Sequence, residues 1–307
     1  MNLKQKITRQ FYKLIAFTKH FVIPGFKGMS VYDVALFFGE SLSKGSITTR
    51  ASSLAFNFFL ALFPGIIFLF ALIPYVPIDG FQDELFILLR DVFPPTTFDA
   101  AHSTINDIVN NKQVGLLSLG FLIALYFSTN GINSLIEAFN ATIHTKESRT
   151  ILQQRWVSLV LTLVMALLII CAIILIIFSQ NFIEYLENKK LLSNFAAQVI
   201  LDFKWITLLI VLYAGVSFLY YYGPSKSIKL SLFSPGSLIA TLLIVMTSLG
   251  FSYYIDNFAQ YNKLYGSIGT LIIILLWLYF NSIIFLIGFE LNTSIIQAIK
   301  VKNKTIR

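Results

Sequence analysis

The sequence predicts an all-α integral membrane protein, a bundle of six spanning helices, on three observations. The first is a series of six long apolar runs near residues 52–73, 114–136, 156–178, 203–222, 235–255 and 267–291. A helix of about 20 mostly apolar residues crosses a hydrocarbon core roughly 30 Å thick, and each run reaches or approaches that length. The second is composition: the chain is 56% hydrophobic and 12% charged, with a mean hydropathy of +0.75. A soluble domain carries about 25% charged residues. The third is the placement of charge. Of 23 Lys and Arg, 17 fall in segments 1–51, 137–155, 223–234 and 292–307. Only six fall in the alternate segments: Arg90, Lys112, Lys189, Lys190, Lys204 and Lys263. This alternation follows the positive-inside rule and predicts that both termini are cytoplasmic.

The predicted organisation is therefore a basic cytoplasmic region (1–51), a six-span domain (52–291) and a basic cytoplasmic tail (292–307). In the first region, Leu3, Ile7, Phe11 and Leu14 recur at helical spacing among basic residues, as in an amphipathic helix on the inner leaflet. Pro24-Gly25 ends it. A second stripe, Val31, Val34, Ala35, Phe38 and Leu42, follows with Ser30 as its N-cap. Both helices are read as anchors.

The first span holds Pro64-Gly65, where a kink or break is expected. The 40-residue loop 74–113 carries six acids against two bases and is too long for a structureless connector. Helical stretches at 81–93 and from Thr96 toward Asn110 predict a small outer cap. The second span ends in the polar run Ser128–Ser134, read as a break that protein or water must satisfy. Tyr220-Tyr221-Tyr222 suggests an interfacial aromatic belt. Pro235 opens the fifth span, where proline is tolerated. Small residues four apart (Ala61/Gly65, Gly120/Ala124, Gly236/Ala240, Ser248/Ser252) permit close helix approach within one bundle and leave self-association open. No inverted repeat is legible.

Catalytic patterns are not found. His20, His102 and His144 lie in separate segments, and no His or Cys cluster has metal-ligand spacing. Nucleotide-binding Gly-Lys-Ser/Thr loops, Gly-x-Ser-x-Gly elbows and His-Glu-x-x-His pairs are missing. An enzyme is not expected, nor is a cofactor. The lone Cys171, expected to be buried in the third span, can form no intrachain disulfide. The sequons at Asn140, Asn292 and Asn303 fall on the predicted cytoplasmic side and read as chance matches. The formal charge of +8 is a topology signal first and a contact with anionic inner-leaflet lipid second. A nucleic-acid partner is not expected.

The candidate functional residues are polar groups at membrane depth. Glu290 is the one acid in the last apolar run, and an intramembrane carboxylate is costly enough to suggest function. Pairing with Arg50, or a hydrogen bond to a polar partner, is the structural alternative. Asn57, Asn130, Asn133 and Asn281 suit interhelical hydrogen bonds. Pro64 marks the first span, and Gly266 and Gly269 suit a tight start to the sixth, or exposed N–H groups for an anion.

Several stretches together resemble the YihY/virulence-factor-BrkB family. They are Arg50-Ala51-Ser52-Ser53-Leu54-Ala55-Phe56 with Leu60–Pro64, the stretch from Asn133 to Asn140 with its basic continuation to Arg155, and Pro235-Gly236. The closing motifs are Tyr265–Gly269, Trp277-Leu278-Tyr279 and Gly288-Phe289-Glu290-Leu291-Asn292. Phe289 stands where the family commonly has Ala. The resemblance covers roughly residues 30–295 and implies a bacterial inner-membrane protein of six helices. Members are described as candidate transporters and linked to serum resistance, and some carry a tRNA-processing ribonuclease label. The residues here give that label no support. Two functional classes follow: flux of a small solute of unassigned identity without ATP hydrolysis by this chain, or a non-transporting scaffold that binds envelope or cytoplasmic partners.

Overall fold

The computed structural model describes residues 16, 18–19, 21–72, 114–142, 149–188, 194–225, 230–258 and 267–305. The regular structure among them is helical: α1 (Val31–Lys44), α2 (Ile47–Leu72), α3 (Val114–Asn140), α4 (Ile151–Asn188), α5 (Asn194–Tyr222), α6 (Pro235–Phe258) and α7 (Ser267–Thr305). Helices α3 to α7 each contain a stretch long and apolar enough to cross a membrane. The first expected span coincides with most of α2. The expected N-terminal amphipathic helix and the cap at 74–113 lie outside the described residues.

Two compact units are present, Phe56–Ile132 and the combination of Met1–Ala55 with Asn133–Arg307. In the smaller unit, Gly131 of α3 faces the Phe58 ring of α2, where an added Cβ would sit 3.1 Å from the ring. Phe59 and Phe63 meet edge to face at 5.2 Å. Pro64 lies inside α2 without ending it, so of the kink or break expected there the break does not occur. Proline removes one backbone bond, but an apolar solvent leaves the freed segment no alternative to resuming the helix. The polar run Ser128–Ser134 likewise fails to break α3, which continues to Asn140.

In the larger unit α7 is the spine. Helices α6 and α1 pack along it, and α5 packs against α6 and α4. At the start of α1, Ser30 Oγ accepts from Asp33 N at 3.1 Å. The expected apolar stripe of α1 packs in part against protein. Val34 is buried among Phe26, Met29, Ile295 and Ala298, with Val31 and Phe37 packed alongside, while Ala35 and Leu42 are exposed. The reason is the length of α7. Its 39 residues extend about 58 Å, and the part beyond Leu291, expected to be a tail, supplies a protein surface for α1.

Pro235 occupies the first position of α6, where its missing N–H removes no helical bond. Ser234 Oγ caps the helix by accepting from Ser237 N at 3.3 Å. The Gly236/Ala240 pair makes the close approach its spacing suggests, to Gly288 of α7. Ser252 is exposed and takes no part in such an approach. The aromatic triplet divides: Tyr221 and Tyr222 are exposed, but Tyr220 turns inward and its hydroxyl donates to the Phe285 carbonyl at 2.6 Å. Cys171 lies on the protein surface of α4, within its apolar stretch.

Candidate functional site

Three segments of the larger unit converge on Glu290. Gly45 closes α1 by donating its N–H to Ser41 O at 2.8 Å. Ser46, at φ 47, turns the chain into α2, and Arg50 follows one turn later. A Cβ on Gly45 would sit 2.9 Å from Arg50 Nη2, so the bare backbone leaves room for the guanidinium. Arg50 Nη2 pairs with Glu290 Oε1 at 2.6 Å, and Nη1 donates to the Ala138 carbonyl near the end of α3 at 2.7 Å. Thr142 Oγ1, just beyond α3, donates to Glu290 Oε2 at 2.5 Å.

Glu290 is 0% exposed and the Arg50 side chain 9%. Removing both charges from water costs several kcal/mol per ion, which only good geometry and further hydrogen bonds offset. The cluster meets those terms on the carboxylate, whose two oxygens each have a donor. The guanidinium is less complete, because its buried Nε–H has no hydrogen-bond partner among the described residues. Phe289 packs beside the cluster, stacked on Phe139 at 4.2 Å and edge-on to Tyr220 at 5.8 Å.

Two further polar clusters tie helices together. Asn133 Nδ2 donates to Glu137 Oε1 at 2.6 Å, while Gln154 Nε2 and Ser158 Oγ of α4 donate to Asn133 Oδ1 at 3.0 and 3.3 Å. On α7, Asn292 Oδ1 accepts from Gly236 N at 2.8 Å, and its Nδ2 donates to Ser234 Oγ at 2.8 Å. The buried Asn292 is thus a structural amide at the start of α6.

Among the predicted residues, the structure brings Glu290 and Arg50 together. Asn133 bonds across to α4. Asn281 instead donates to Trp277 O of its own helix at 2.7 Å, and its buried Oδ1 has no hydrogen-bond partner among the described residues. Asn57, Asn130 and Pro64 belong to the smaller unit, half-buried. Gly269 is buried in the first turn of α7, and Gly266 lies outside the described residues. Thr142, Gly45 and Asn292 are the contributors that sequence reasoning missed. A short polar run beginning two positions after the acid, Asn292-Thr293-Ser294, was the available signal for Asn292.

Long apolar helices joined by buried polar contacts define a multi-pass helical membrane protein. Residues 38–306 match the family model described as virulence factor BrkB, and the chain belongs to that family. It is 30% identical over 257 residues to the Bacillus subtilis (strain 168) protein YfkH, whose name calls it ribonuclease-like, covering 84% of this chain and 92% of that one. A UPF0761 membrane protein of Haemophilus influenzae (strain 86-028NP) is 25% identical over 277 residues, 87% of this chain and 96% of the relative. Another from Vibrio campbellii (strain ATCC BAA-1116) is 24% identical over 258 residues, 83% and 80% of the two chains. No solved structure matches.

Proposed function

We propose that the chain is a permease-like protein of the bacterial inner membrane, with both termini cytoplasmic, that passes a small solute without ATP hydrolysis or catalysis of its own. The observation that carries this reading is the fully buried Glu290 held by Arg50 and Thr142. A buried ion pair is a poor source of net stability, and packed apolar side chains often do better. Ionisable groups inside apolar helices mark solute paths, relays and switches. This pair joins the start of α2, the chain after α3, and α7, so parting it would release three segments together, as a gate requires. Its proposed role is a latch at the cytoplasmic end of the path, the end that the 17-to-6 division of Lys and Arg assigns to the basic segments.

A groove between α4 and α5 is lined by neither Asn57, Asn130 nor Glu290, so the solute is not read from it. Nor does the ribonuclease-like name of the Bacillus subtilis relative draw support from this site, whose carboxylate oxygens are both engaged by Arg50 and Thr142. The test is reconstitution in liposomes with a panel of labelled ions, amino acids, organic acids and sugars. At least one solute should cross faster than in protein-free vesicles, at a rate that Glu290→Gln alters. Folded protein that passes nothing would favour the scaffold reading instead.

A further inference from the structure

A groove of about 890 Å³ opens between α4 and α5, within the roughly 300–1,000 Å³ range of small-ligand sites. Its wall is apolar, formed by Val160 and Val164 of α4, Phe218 of α5 and Leu230. Trp156 and Val164 mark its extent on α4, eight positions apart, or about 12 Å of helix. One end differs. Trp156, 66% exposed, stands there with the exposed Tyr222 and with Arg149. The guanidinium is fixed in place, since Nη1 donates to Gly223 O at 2.8 Å and Nη2 to Pro224 O beyond the end of α5.

An apolar slot with an aromatic rim and a cationic end matches the polarity profile of a phospholipid at the membrane interface. The charge of the bordering segments selects the headgroup. Among the described residues of 149–164, 218–225 and 230–234, Arg149 and Arg155 are the charged side chains, with no Asp or Glu beside them. Juxtamembrane basic residues attract anionic lipid. We propose that this groove is a binding site for an anionic phospholipid, with an acyl chain along Val160, Val164 and Phe218 and the phosphate at the basic rim by Arg149. The proposal is independent of solute transport and holds equally for a scaffold.

Trp156 is a built-in reporter. With Trp205→Phe and Trp277→Phe it becomes the sole tryptophan. This protein is reconstituted in vesicles where either phosphatidylglycerol or phosphatidylcholine carries brominated acyl chains, which quench tryptophan on contact. At equal mole fraction, brominated phosphatidylglycerol should quench Trp156 at least about two-fold more strongly than brominated phosphatidylcholine. A protein retaining Trp205 alone, comparably exposed at 65% and outside the groove, should show no such preference. Val160→Phe, which fills the slot at a position already 42% exposed, should abolish the preference without unfolding the chain. Arg149→Gln should reduce it. Equal quenching by both lipids in the parent would overturn the site, as would a preference unchanged by Val160→Phe. Absence of quenching by either lipid, with a cross-linked dimer through α4, would show that a second copy occupies the groove and would equally overturn it.

Discussion

Gly236 and Gly288 stand face to face where α6 meets α7. A Cβ on Gly236 would overlap the Gly288 carbonyl oxygen and come within 2.6 Å of the Asn292 side chain, while one on Gly288 would lie 2.8 Å from Ala240 Cβ. Backbone contact of this kind drives helix association where lipid removes the hydrophobic incentive. Gly236→Ala should therefore force the helices apart and cost about 1–3 kcal/mol, seen as a lower thermal midpoint in detergent. Gly250→Ala is the control. Its Cβ would meet nothing within 4 Å, and the gain in helix propensity should leave the midpoint unchanged or slightly raised.

The same junction depends on Asn292. Its side chain satisfies the Gly236 N–H and the Ser234 hydroxyl, both buried. Asn292→Ala leaves the N–H without its acceptor, and a buried unsatisfied donor costs about 1–3 kcal/mol. Amide hydrogen exchange should accelerate in the first turn of α6 while the far end of α5 is unchanged. Uniform acceleration throughout the chain would instead point to global loosening.

Length and hydropathy are properties of a single segment, so five of the expected spans fall within α3 to α7. Features that depend on a neighbour were less legible. Residues 292–307 read as a basic tail because nothing local shows that Ile295 and Ala298 meet Val34 and Phe26. Tyr220 is indistinguishable from Tyr221 and Tyr222 until the turn of α5 sends only the first toward Phe285. The Arg50–Glu290 contact could be inferred, since a lone acid in an apolar run needs a cation at its own depth. Thr142 could not, because it stands 148 positions from Glu290 and no local pattern distinguishes it from any loop threonine.

The orientation of the chain can be tested through its single thiol. On a Cys171→Ala background, Lys300→Cys near the exposed end of α7 should react with membrane-impermeant maleimide only after the cells are opened. Asp107→Cys in the acidic loop should react from outside in intact cells. The reverse pattern would invert the topology drawn from the basic residues, and with it the assignment of the Arg50–Glu290 latch to the cytoplasmic end.

The latch makes the most specific prediction, because its two charges should depend on one another. Arg50→Gln leaves the carboxylate buried with Thr142 as its main remaining donor, and Glu290→Gln leaves the guanidinium buried without its counter-charge. Breaking a buried pair from one side costs about 3–5 kcal/mol, most of it the penalty of the stranded charge. The double substitution strands neither, so much of each loss should return, giving a coupling energy of about 1–3 kcal/mol in the thermal midpoints. Flux measured beside stability separates a strut from a gate. If the pair only braces the fold, the double variant should regain solute flux along with its stability. If the pair must part and re-form during transport, the double variant should be stable and leak, because the segments it joins are no longer locked. A loss in the double variant equal to the sum of the two single losses would show that the charges do not sense each other, and would sink the latch in either form.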